Sequence, residues 1–103
     1  MLSEIITNNL SEIQALCEQH KVKHLFVFGS AASGKFSDES DVDLIVKFDP
    51  EVAVEEHADL FFDLAEKLEV LFKRKVDLMT DRPIENKYLK MNIEASKQMI
   101  YAA

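Results

Sequence analysis

The chain has 103 residues, 48% of them hydrophobic and 30% charged, with only two glycines and two prolines. Such a composition predicts one packed domain over residues 1–103 and excludes a collagen-like, low-complexity or disordered polymer. The formal charge of −7 repels phosphate backbones, so direct nucleic-acid binding is not expected. No apolar run approaches the ~20 residues that span a bilayer, so no membrane association is expected either.

Residues 3–20 come first. Ile5, Ile6, Leu10, Ile13, Leu16 and Cys17 recur at spacings that predict an amphipathic helix, with Ser3 at its N-cap. Cys17 is the only cysteine and lies on the apolar stripe. It has no internal disulfide partner, which fits a reducing, cytoplasmic setting. The segment MLSEIITNNL also lacks the basic flank and apolar stretch of a signal peptide.

The run HLFVF over residues 24–28 reads as a buried strand. Residues 30–40 are small or polar and read as a loop, with room for one helical turn after Ser30. DVDLIVKF over residues 41–48 is the second strand, stopped by Asp49-Pro50. Residues 55–73 form a long helix. Its expected buried stripe is His57, Ala58, Phe61, Leu64, Ala65, Leu68, Leu71 and Phe72. KVDLM over residues 75–79 is a third strand. Residues 84–101 read as a last helix, with Leu89, Ile93, Ser96 and Ile100 on one face. Helices between strands make this a small α/β domain.

The chemistry concentrates in acidic residues on strands. Asp41 and Asp43 are two apart, so they share a strand face, while Val42, Leu44, Val46 and Phe48 point into the core. Two adjacent carboxylates repel, and at least one must hold its proton more tightly unless a cation sits between them. Mg²⁺ suits such hard oxygen ligands. Asp77 repeats the pattern between Val76 and Leu78 on the third strand. If the two strands are neighbours, the three carboxylates can hold two Mg²⁺ ions about 4 Å apart, an arrangement for in-line attack on a phosphate. The alternative is that all three are solvated edge charges. Gly29-Ser30 leaves the first strand where the backbone can approach a ligand closely, and amides of a following turn can face an anion.

Gly29-Ser30, then Asp41-Val42-Asp43-Leu44, then Val76-Asp77-Leu78 resemble the motifs of the DNA polymerase β-type nucleotidyltransferases. The short chain is similar to their minimal nucleotidyltransferase (MNT) branch. The resemblance implies a small mixed sheet of three to four strands flanked by helices. It also implies Mg²⁺-dependent transfer of NMP, with AMP from ATP expected, to a hydroxyl. Carried over, Gly29 and Ser30 bind the triphosphate. Asp41 and Asp43 hold two metal ions, and Asp77 completes the site and helps deprotonate the acceptor. The branch further implies a partner, a HEPN-type toxin, with this chain as its antitoxin and the toxin supplying the acceptor hydroxyl.

Two departures shape the alternatives. Ser33 stands where the first motif carries an arginine, leaving Lys35 as the nearby cation for phosphate. A module that neutralises its partner by occlusion, without transfer, is therefore the second reading. Gly29-x4-Gly34-Lys35 also matches most of a P-loop, but Phe36 occupies the position that needs a metal-binding hydroxyl. The sequence leaves homo-oligomerisation open.

Overall fold

The apolar strand that ends at Gly29 and the strand that carries Asp43 build the centre of a four-stranded sheet. In the computed structural model, residues 2–33, 40–81 and 85–103 are described, Ser33 by its backbone alone. Strand β1 (Val22–Phe28) lies between β2 (Val42–Phe48) and β4 (Gln98–Ala102), antiparallel to both, and β3 (Val76–Thr80) runs parallel to β2 on the far side. The order is β3-β2-β1-β4. A parallel neighbour cannot be reached by a hairpin, and the crossover is supplied by α4 (Val54–Phe72).

The sheet has two unequal covers. On one face Leu25, Val27, Val42, Leu44 and Val46 meet Ile13 and Cys17 of α2 (Leu10–Gln19) and Leu64, Leu68 and Phe72 of α4. This is the main core, and α1 (Glu4–Thr7) adds Ile6 to it. On the other face Phe28 and Ile45 meet Ile93 of α5 (Lys87–Ser96), with Phe26, Met79 and Leu89 at the margin. The covered parity of β2 therefore includes Ile45 on the face that also carries Asp43.

Three expectations are corrected. The first helix is two: Asn8 and Asn9 separate α1 from α2, and the Asn9 amide group donates to the Ile5 carbonyl at 2.8 Å. Asparagine side chains compete for backbone partners in this way and interrupt helices. Ser3 stands at the N-cap of α1 but makes no capping bond through its hydroxyl. The last helix ends at Ser96, and β4 follows after a single residue. Helical spacing cannot show this, because Ile100 and Tyr101 pack against the main core as strand residues. The buried stripe of α4 begins later than expected, since His57 and Ala58 are exposed.

Two helices are joined by a part-buried polar contact. The His20 ring is 3% exposed. Its Nδ1 lies 2.7 Å from the Leu16 carbonyl, and its Nε2 lies 2.6 Å from Asp63 Oδ2 on α4. Lys67 Nζ donates to the same carboxylate at 2.7 Å. These bonds, led by the one from Lys67, hold the Asp63 carboxyl below its ordinary pKa. His20 is thus a structural link between α2 and α4.

Candidate active site: a carboxylate pair beside a glycine turn

The site lies at one end of the parallel pair β2–β3, on the face that α5 partly covers. Asp43 and Asp77 are register partners across the two strands, which puts their backbones about 5 Å apart. Asp41 precedes β2 and is exposed. Two bonds fix its approach: the Val42 amide donates to the Lys75 carbonyl at 3.1 Å, and Arg74 Nη1 donates to the Ser40 carbonyl at 3.2 Å. Asp43 is half-buried. Burial, reinforced by the charges of Asp77 and then Asp41, pushes its carboxyl up to about 6. Burial disfavours the charged form of a carboxyl, and neighbouring negative charge adds to the effect.

Gly29 closes over this cluster. It takes φ +70°, and a Cβ placed there would lie 2.7 Å from Asp43 Oδ2. The need for glycine here has two causes, the left-handed backbone and the missing side chain. The following residues Ser30–Ser33 form the short helical turn α3, as allowed for in the loop after the strand. The Gly29 amide donates to Ser96 Oγ at 2.9 Å, and the Gln98 side chain donates to the Ala32 carbonyl at 2.9 Å.

Asp41, Asp43, Asp77, Gly29 and Ser30 therefore come to one end of the sheet. Lys35 and Phe36 lie outside the described residues, as does the side chain of Ser33. Among the described residues, no three His, Cys, Asp or Glu side chains converge on one point as a finished metal cage. The donor set still fits Mg²⁺, which is commonly held by one or two carboxylates and otherwise by water and substrate phosphate oxygens. Asp43 with Asp77 supplies that pair, and a cation there would offset the repulsion that Asp77 and Asp41 exert on Asp43. An apolar cleft of about 440 Å³, lined by Phe48, Val54, His57, Ala58, Phe61 and Thr80, opens at the other end of the same strands and belongs to no part of this cluster. Ser96, Gln98 and Arg74 are the residues that sequence reasoning passes over as contacts of the site. They act through hydrogen bonds to backbone atoms distant in the chain, and no local pattern marks them.

Parallel strands thus carry in-register aspartates, with a glycine turn set over one of them. The profile of the nucleotidyltransferase domain matches residues 12–100, and the chain belongs to that family. It is 38% identical over 100 residues to a Methanocaldococcus jannaschii protein named "Putative protein adenylyltransferase MJ1379", an alignment covering 89% of this chain and 96% of that one. Its fold is similar to a solved structure described as a "putative minimal nucleotidyltransferase", with TM-score 0.65, 28% identity and 95% coverage of both chains. It is also similar in fold to a chain from the complex of a tri-AMPylated Shewanella oneidensis HEPN toxin with its MNT antitoxin. There the TM-score is 0.61 at 19% identity, covering 95% of this chain and 73% of that chain. The protein is a nucleotidyltransferase. The P-loop alternative gives way to this family membership. Among the described residues no helix is long and apolar enough to cross a membrane.

Proposed function

We propose that this protein transfers AMP from ATP to a hydroxyl on a HEPN-type partner protein, and that it acts as that toxin's antitoxin. The observation that carries the reading is the register of Asp43 with Asp77 beside Gly29. Asp43 and Asp77, assisted by Asp41, would hold Mg²⁺, whose role when bound is to offset phosphate charge and acidify the attacking hydroxyl. The turn at Gly29-Ser30 receives the triphosphate, and Lys35 offers it a point charge. Asp77 accepts the proton of the acceptor hydroxyl as its oxygen bonds the α-phosphorus, while the bond to the departing pyrophosphate breaks. The likeness to a protein named as an adenylyltransferase, and to the antitoxin of an AMPylated toxin complex, supports AMP as the transferred group and a toxin as the acceptor. The charge of −7 favours a partner with a basic contact surface.

The test is incubation of the protein with Mg²⁺, α-labelled ATP and a HEPN-type partner, for wild type, Asp43→Asn and Asp77→Asn. Label should pass to the partner with wild type and not with either variant. Transfer by Asp43→Asn at the wild-type rate refutes the assigned site. A second reading, neutralisation by occlusion, is favoured by Ser33 in place of the family's arginine. It expects Asp43→Asn to silence the toxin as well as wild type does, with no label transferred by either.

A further inference from the structure

We propose that Ser96 and Gln98, at the junction of α5 and β4, are positioning residues that hold the Gly29-Ser30 turn in place over Asp43 for nucleotide binding. The inference rests on the nucleotide-site reading above and adds residues to it that lie 66 to 67 positions away in the chain. Ser96 has one hydroxyl proton, and it is donated to the Asn92 carbonyl of its own helix at 2.8 Å. The oxygen is then left as an acceptor aimed at the Gly29 amide, 2.9 Å away. A serine on a helix usually spends its hydroxyl on the helix alone. Here the same group also satisfies the backbone donor of a residue in left-handed conformation. Gln98 holds the other end of the segment through the Ala32 carbonyl. A third tie, from the Ser3 amide to the Ala31 carbonyl at 2.9 Å, is backbone to backbone and untouched by side-chain changes.

These ties matter because the clearance is small. A methyl group on Gly29 would already lie 2.7 Å from Asp43 Oδ2. A nucleotide whose phosphates rest on the turn, and whose cation rests on Asp43, must span a gap that the position of Gly29 sets. Losing the Ser96 hydroxyl leaves a part-buried backbone donor without its partner, and the turn can relieve that only by moving. The gap then changes although no residue touching the nucleotide has been altered.

The test measures binding of a non-hydrolysable ATP analogue with Mg²⁺ by calorimetry, on the full chain. Ser96→Ala should weaken binding about tenfold, because the complex must then impose a turn position that one hydrogen bond to a part-buried amide had held. Ser96→Thr, which keeps the hydroxyl, should restore it to within about threefold, and Gln98→Met should weaken it less than Ser96→Ala. Leu68→Ala, a core variant on α4 that leaves the hydrogen bonds of the turn in place, serves as the control for general destabilisation and should bind normally at a temperature where it is folded. Amide exchange of Gly29 in the nucleotide-free protein should speed up in Ser96→Ala and not in Ser96→Thr. Wild-type binding with unchanged affinity in Ser96→Ala overturns the positioning role alone. Failure of wild type to bind the analogue overturns the nucleotide site and the positioning role with it. Unchanged Gly29 exchange in Ser96→Ala overturns the hydrogen bond on which the inference stands.

Discussion

Replacing Asp43 by asparagine should make the metal-free protein more stable, and only above a particular pH. The Asp43 carboxyl is pushed from its ordinary 3.8 to about 6 by burial, then by Asp77 and Asp41. A group whose pKa is raised on folding favours the folded state while it is protonated. Its contribution is complete below the unfolded value, near 4, and is lost as the pH rises through about 6. Each unit is 1.36 kcal/mol, so the full shift corresponds to roughly 3 kcal/mol. Asp43 is only half-buried and water screens part of this, which reduces the expected loss to about 1 kcal/mol. Asparagine keeps the shape and never ionises. In EDTA, Asp43→Asn and wild type should unfold within a few tenths of a kcal/mol of each other at pH 4, and the variant should lead at pH 7.5 by about 1 kcal/mol, or roughly 4–8 °C in Tm. Mg²⁺ should return stability to wild type at pH 7.5 and do little for the variant. Urea and thermal unfolding monitored by circular dichroism, from pH 4 to 8, provide the assay. A difference between the two proteins that does not vary with pH refutes the electrostatic argument, as does a variant less stable than wild type at pH 7.5.

Other perturbations report on separate parts of the molecule. Gly29→Ala forces a side chain into left-handed backbone 2.7 Å from Asp43 Oδ2. It should cost about 1–3 kcal/mol in urea unfolding and abolish the Mg²⁺-dependent binding of an ATP analogue. Leu68→Ala removes a side chain with 0% exposure between α4 and the sheet and should cost about 2–5 kcal/mol at an unchanged urea m-value. Burial raises the Cys17 thiol to about 12. Its labelling by a thiol reagent at pH 8 should therefore follow the rate of global unfolding, and fast labelling of the folded protein contradicts its place in the core. Asp63 is held below its ordinary pKa by Lys67 and His20, so its stabilising effect is present above about pH 4 and lost as the pH falls further. Asp63→Asn should be less stable than wild type near neutrality and approach it in acid, as read by Tm against pH.

The sequence alone carried the parts of this protein that depend on local periodicity and local chemistry. Strand alternation put Asp41 and Asp43 on one face, set Asp77 between two core residues, and marked Gly29 as the exit of a buried strand. It also placed Cys17, Leu64 and Leu68 in the core, where they are found. Those features are legible because side-chain direction along a strand or helix follows from the backbone repeat itself. Pairing is different, since it joins residues far apart in the chain. That β3 runs parallel to β2 with Asp43 opposite Asp77 follows from the crossover through α4, and no segment of sequence states it. The strand β4 was concealed within an apparent helix because Ile100 sits at helical spacing from Ile93 and Ser96, and only the open edge of β1 draws residues 98–102 into the sheet. The asparagine pair that splits α1 from α2 was present in the sequence, but helical spacing continued through it. Glycine at position 29 was read as room for a ligand, whereas the fold adds a left-handed φ and the immediate presence of Asp43. Tertiary structure alone decided which side chains hold that turn, because hydrogen bonds from Ser96 and Gln98 end on backbone atoms, and any residue type presents the same backbone.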